Sequence, residues 1–114
     1  MPAHATAVGK ALLAHASEDV RETMLTRPLE RLTPRTVVMR GVLMRELRRV
    51  RTDGVAHEYE ESANGVVCAA CPVIDSLGNA LAAVSVSGWV GRMQLERVIP
   101  ALRTTALMLS RQWG

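Results

Sequence analysis

The sequence predicts an α+β fold in which an antiparallel sheet is flanked by helices. Two observations carry this. Apolar residues recur every three to four positions before residue 53 and again after residue 91, the period of a helix with one buried face. Between them the pattern turns to short apolar runs set apart by Asp53-Gly54, Asn64-Gly65 and the polar stretch Asp75–Asn79, as strands joined by tight turns require.

The first helix is expected over Ala5 to His15, with Val8, Ala11, Leu12 and His15 on one face. Gly9 inside it costs roughly 1 kcal/mol relative to alanine, so it marks close packing or the approach of other backbone. Ser17 is the N-cap of a second short helix, with Glu18 and Asp19 where the helix dipole favours negative charge, and Arg27-Pro28 ends it. Leu29 to Met39 is a connector with a turn signal at Thr33-Pro34. A third, amphipathic helix runs from Arg40 or Gly41 to Thr52, with Leu43, Leu47 and Val50 on one face and Arg45, Arg48, Arg49 and Arg51 on the other. Gly54 should stop it.

Val55 to Glu60 has weak alternation, Val66 to Ile74 is a long apolar run, and Ala80 to Ser87 alternates small and branched residues. These read as strands, the last two forming a hairpin. On the final strand Leu81, Ala83, Ser85 and Ser87 share one face, and Ala82, Val84 and Val86 the other. Gly88 to Gly91 breaks the pattern. The last helix is expected from about Arg92 to Gln112, with Leu95, Val98, Ile99, Leu102, Ala106, Leu109 and Trp113 at helical spacing and Pro100 as a kink or break. No repeat or linker divides the 114 residues, which read as one domain.

Composition narrows the function classes. The aromatics are Trp89, Trp113 and Tyr59, so the core is built from Leu, Val, Ala and Met, and a core of this kind leaves an isolated chain marginally stable. That favours an oligomer. The formal charge is +3 with acidic residues interspersed, which is no electrostatic footprint for nucleic acid. No apolar stretch is long enough to span a membrane. With no export signal and two cysteines, the thiols are expected reduced, in the cytoplasm.

Candidate chemistry is sparse. Cys68-Ala-Ala-Cys71 has the spacing of a metal or redox pair, but cysteines three apart on a strand point to opposite faces. His4, His15 and His57 are too scattered for a metal site. Ser85 or Ser87 with His57 and Glu58 can be drawn as a triad, yet both serines sit on a regular strand and not on a nucleophile elbow. No catalytic residue, metal or cofactor is expected. Five arginines between Arg40 and Arg51 read as a solvated helix face, since no base-reading helix follows at a tight turn. Ser85 and Ser87 emerge on one sheet face; if the neighbouring strand places Cys68 and Glu58 on that face, the result is a polar patch on an apolar sheet. Spacing alone leaves open whether that patch takes a small polar ligand or hydrogen-bonds within the sheet.

Three stretches resemble the effector domain of IclR-type bacterial transcriptional regulators. His4-Ala-Thr-Ala-Val-Gly-Lys-Ala-Leu-Leu-Ala14 is similar to its opening helix. Leu47-Arg-Arg-Val-Arg-Thr-Asp-Gly-Val-Ala56, with Glu60-Glu61 and Gly65, resembles its helix-to-strand passage. Ala70-Cys-Pro-Val-Ile-Asp-Ser-Leu-Gly78 and Ala82-Ala-Val-Ser-Val-Ser-Gly88 resemble its hairpin. The resemblance covers nearly the whole chain; Cys71 departs from it, standing where the family usually has a small residue such as alanine. It implies a GAF/profilin-like fold, here truncated at its N-terminal side, with Met1 inside the effector domain and the DNA-binding winged helix-turn-helix absent. It also implies a homo-oligomer that senses a small organic acid effector and meets DNA only through that absent domain. The ligand-binding residues it implies are Ala7, Val8, Glu58, Val66, Cys68, Ser85 and Ser87. The rival reading is an oligomerisation module with a degenerate pocket: a cavity lined by Ser85, Ser87 and Cys68 favours sensing, and one filled by side chains favours a scaffold.

Overall fold

A computed structural model describes residues 2–113; Met1 and the side chain of Trp113 lie outside the description. Three helices precede a three-stranded antiparallel sheet and a fourth helix follows: α1 (Ala7–Ala14), α2 (Glu18–Leu25), α3 (Arg40–Asp53), β1 (Ala56–Tyr59), β2 (Val66–Ile74), β3 (Ala80–Trp89) and α4 (Leu95–Trp113). The strands lie in the order β1-β2-β3.

The helix ends follow the side chains that satisfy them. Thr6 caps α1, its Oγ1 accepting from the Gly9 N–H, and Ser17 caps α2 by accepting from Val20. Gly54, at φ 74°, closes α3 in the left-handed conformation and donates its N–H to the Val50 carbonyl. The buried side of α1 differs from the expected face: Ala7, Lys10, Ala11 and Ala14 face inward, and Leu12 is exposed. Small residues are selected because α1 lies close on the sheet, and Gly9 for a related reason. A Cβ there would stand 2.5 Å from the Cα and carbonyl oxygen of Ala3, where the chain curls over the helix start.

The strand pleat divides the core. Ala56, Cys68 and Ala70 turn toward α1 and α3 and pack with Ala7, Ala11, Leu43, Leu47 and Val50. Val55, Val67, Ala69 and Cys71 form a separate cluster with Leu95 and Ala106 of α4. Pro72 fits in the middle strand because β1 reaches only as far as Ala56 opposite Ala70; beyond that point one side of β2 is an edge, where a missing N–H costs nothing.

Two expectations need correction. β3 does not end at Ser87 but pairs through Gly88 and Trp89, and Gly88 is needed because a Cβ there would lie 2.7 Å from the Met93 side chain. Pro100 does not break α4, which runs on through it. The proline lies past the first turn and removes the bond to the Glu96 carbonyl, and buried Leu95 and Ala106 hold the segments on either side of it against the sheet.

Candidate functional site

The register of the sheet assembles the polar patch. Glu58 pairs with Cys68 and Cys68 with Ser87, so the three form a row across all three strands. Ser85 lies in the next row on the same face, beyond Ala56 and Ala70. The start of α1 stands over this row. Between them is a cavity of about 530 Å³, lined by all seven residues that the sequence singled out: Ala7, Val8, Glu58, Val66, Cys68, Ser85 and Ser87. Its size falls in the range of small-molecule pockets.

Each lining group has a defined state. The N–H groups of Ala7 and Val8, in the first turn of α1, precede any helical acceptor, so they offer donors and the positive end of the helix dipole. Glu58 is 3% exposed, and its Oε2 accepts from both the backbone N–H and the hydroxyl of Ser62. Its Oε1 takes no hydrogen bond among the described residues. Burial pushes the Cys68 thiol above its ordinary pKa, the Ser87 hydroxyl pulling the other way and the Glu58 carboxylate adding to the rise. Cys68 is therefore a neutral thiol at pH 7. Ser85 and Ser87 are open to solvent from the β3 side. No lysine, arginine or histidine lines the cavity.

The whole chain to residue 111 matches the family model described as Bacterial transcriptional regulator IclR C-terminal. The chain belongs to the IclR family. It is similar to the HTH-type transcriptional repressor AllR of Klebsiella pneumoniae, at 35% identity over all of this chain and 43% of that protein. It is also similar to the HTH-type transcriptional regulator BhcR of Paracoccus denitrificans, at 40% identity over 83% of this chain and 34% of that protein. The IclR-type domain thus spans less than half the length of these relatives. Among solved structures, the Thermotoga maritima IclR superposes with a TM-score of 0.89, at 33% identity over 98% of this chain and 47% of that one. A double mutant of the inducer-binding domain of Acinetobacter PobR, in complex with 3-hydroxybenzoic acid, superposes with a TM-score of 0.87, at 33% identity over 96% of this chain and 66% of that one. The α+β fold and the family resemblance read from the sequence are both shown, and the chain is an IclR-type C-terminal domain.

Other groups that the sequence raised do not join the pocket. His57 points away from Glu58 across the pleat, into a recess with Glu46, Tyr59 and Glu61, so no Ser–His–Glu arrangement forms. Burial, with Lys10 and Arg103 nearby, pushes its pKa below the ordinary value. Cys68 and Cys71 are buried in opposite clusters and cannot share an ion. Arg45, Arg48, Arg49 and Arg51 are exposed on α3.

Several residues of the IclR pocket went unnoticed in the sequence. Thr6, Leu12 and Ser62 also line it. Thr6 carried a legible signal, a threonine three residues before Gly9 at a helix start. Ser62 carried none, since its bond to Glu58 depends on the turn of the chain after β1. Lys10 was visible only as the lone lysine. It is 0% exposed, with its Nζ 2.6 Å from Glu46 Oε1, 2.5 Å from Glu61 Oε1 and 3.2 Å from the His57 carbonyl. Thr33 and Thr36 of the connector donate to the carbonyls of Glu60 and Glu61, each at 2.5 Å. Lysine and threonines together fix the segment that presents Glu58 and Ser62.

Proposed function

We propose that this domain binds a small organic acid in the cavity between α1 and the sheet, and so controls DNA binding by the full regulator through its DNA-reading domain. Ala7, Val8, Glu58, Val66, Cys68, Ser85 and Ser87 are its ligand-binding residues, and the regulator works as a cytoplasmic homo-oligomer. The supporting observation is that these seven residues line one open cavity in which side chains leave room for a ligand.

The electrostatics narrow the ligand class. With no cation in the lining, a carboxylate is held by the first-turn amides of α1 and by the serine hydroxyls. Two carboxylates side by side repel by about 4 kcal/mol at 4 Å for an effective dielectric constant near 20, unless one of them takes up a proton. The ligand must therefore keep its charge away from Glu58 and present a donor to Glu58 Oε1. A hydroxy acid, or an acid with a hydrated carbonyl, satisfies both ends. The 3-hydroxybenzoic acid held by the PobR domain has that pair of groups.

The test is thermal unfolding against a panel of small carboxylates, with Ser85→Ala and Ser87→Ala as controls. A ligand at about 100 times its dissociation constant adds roughly 2.7 kcal/mol, a rise of roughly 10 °C for a domain of this size. A rise that the serine substitutions abolish supports the reading. A folded protein that no acid in the panel stabilises points instead to an oligomerisation module.

A further inference from the structure

A second cavity, of about 400 Å³, opens where β2 runs on past the start of β1, paired there with β3 only, between α4 and the C-terminal ends of α1 and α3. Its lining combines an apolar floor, including Cys71, Ile74 and Leu107, with His15, Arg51 and Arg103, and contains no carboxylate among the described residues. The His15 Nε2 is buried without a hydrogen-bond partner. Buried polar atoms in native proteins are nearly always paired, so an orphaned one calls for an explanation.

The bland reading gives the arginines to the helix ends, whose exposed carbonyls carry roughly half a negative charge. That work is already assigned. Arg21 donates to the carbonyls of Leu13, Ala14 and Ala16 at the end of α1, and Arg103 Nη1 donates to the Asp53 carbonyl at the end of α3. Arg51 has no hydrogen bond or ion pair among the described residues, and a single bond leaves most of the five N–H donors of Arg103 unused. Two full positive charges outweigh the fractional helix-end charges. Their field reaches the cavity from both sides: burial pushes the His15 pKa down and Arg51 adds to the fall, while Arg103 pulls that of Cys71 down against the larger effect of burial.

We propose that this cavity is a second ligand site, separate from the effector pocket, for a small carboxylate on a compact apolar body. The carboxylate takes the guanidinium groups of Arg51 and Arg103 beside the His15 ring, and the apolar body lies on Cys71, Ile74 and Leu107. The effector pocket has no cation and a buried glutamate; this site has two arginines and no acid. The two therefore select different acids, and binding here does not require that the effector pocket work as proposed.

The probe is benzoate, titrated into isotopically labelled protein and followed by backbone and imidazole nitrogen shifts, with benzyl alcohol as the neutral counterpart. Titrations are run on the unmodified chain, on Arg51→Gln and on Ser85→Ala/Ser87→Ala. The expected result is movement of the His15 ring nitrogens and of the Arg51 and Cys71 amides, unaffected by the serine substitutions. Loss of one charge-assisted contact in Arg51→Gln should weaken that response about tenfold. Arg51 is exposed and unbonded, and an unchanged melting curve verifies that the variant folds. Shifts confined to the Ser85–Cys68–Glu58 row, an unchanged affinity in Arg51→Gln, or an equal response to benzyl alcohol would overturn the proposal.

Discussion

Replacing Lys10 with methionine tests the buried ion cluster that holds α1 to the segment after β1. Methionine keeps most of the side-chain length, so the loss is chiefly the charge. Two carboxylates are then left without their counter-ion. Glu46 is a quarter exposed and can turn toward water, but Glu61 is 8% exposed and its Oε2 also accepts from the Tyr59 N–H at 3.1 Å. With one carboxylate relieved and one trapped, the cost falls at the lower end of that for breaking a buried pair, about 3 kcal/mol. At a urea dependence of roughly 2 kcal/mol per molar, the unfolding midpoint followed by circular dichroism drops by about 1.5 M. The pH dependence carries a second signature. Burial already pushes the Glu61 pKa above its ordinary value despite the ammonium, and without the lysine it rises further. A carboxyl whose native pKa lies above its unfolded value binds protons preferentially in the native state, so the variant loses stability as pH rises through that interval. The deficit against the unmodified chain is therefore smaller at pH 5 than at pH 8, and Glu61→Gln added to Lys10→Met recovers part of it. A midpoint within about 0.3 M of the unmodified chain, or a deficit equal at the two pH values, refutes the reasoning.

Gly9→Ala forces a Cβ to within 2.5 Å of Ala3 backbone, and should lower stability by about 1–3 kcal/mol in a thermal melt while loosening the wall of the effector pocket. Both thiols are held above their ordinary pKa by burial, so iodoacetamide at pH 7.5 should label Cys68 and Cys71 far more slowly than a free cysteine peptide, and at the peptide's rate in denaturing urea. Comparable rates in the native protein would contradict their burial. Glu58→Gln keeps an acceptor for Ser62 but loses the charge facing the ligand. Calorimetric titration should show about tenfold weaker binding of hydroxy acids, and no such loss for acids that lack a hydroxyl.

Much of the fold was legible because local signals and burial agree. Ser17 and Gly54 marked helix ends through their own backbone and capping chemistry, and the unbroken apolar run from Val66 to Ile74 gave β2 its limits as observed. Errors arose where tertiary contact decides. Gly88 reads as a strand breaker, yet Met93 lies over it and the strand continues. Leu12 reads as core, but Leu13 is the buried leucine of α1, packed with its alanines, and Leu12 stays exposed at the pocket. For the candidate site, the two-residue spacing of Ser85 and Ser87 fixed a shared face with Cys68 and Glu58 as its possible neighbours, and the family resemblance supplied Ala7, Val8 and Val66 and named the same four. Lys10 with Glu46 and Glu61 was not legible, because the lysine lies 36 and 51 residues from its two partners and a lone lysine carries no periodicity.

β3 pairs with β2 along one side, and its other side meets no strand among the described residues. Leu81 and Trp89 stand 52% and 63% exposed along it. In an antiparallel edge strand only every second residue exchanges hydrogen bonds with its neighbour, and the others aim theirs outward. Amide exchange with deuterium should therefore alternate along Ala80–Trp89, slow and fast by turns, while β2 is protected throughout the stretch flanked on both sides. Any strand laid against that outer edge would erase the alternation, so the rhythm of exchange in one ten-residue segment reports whether the sheet is complete.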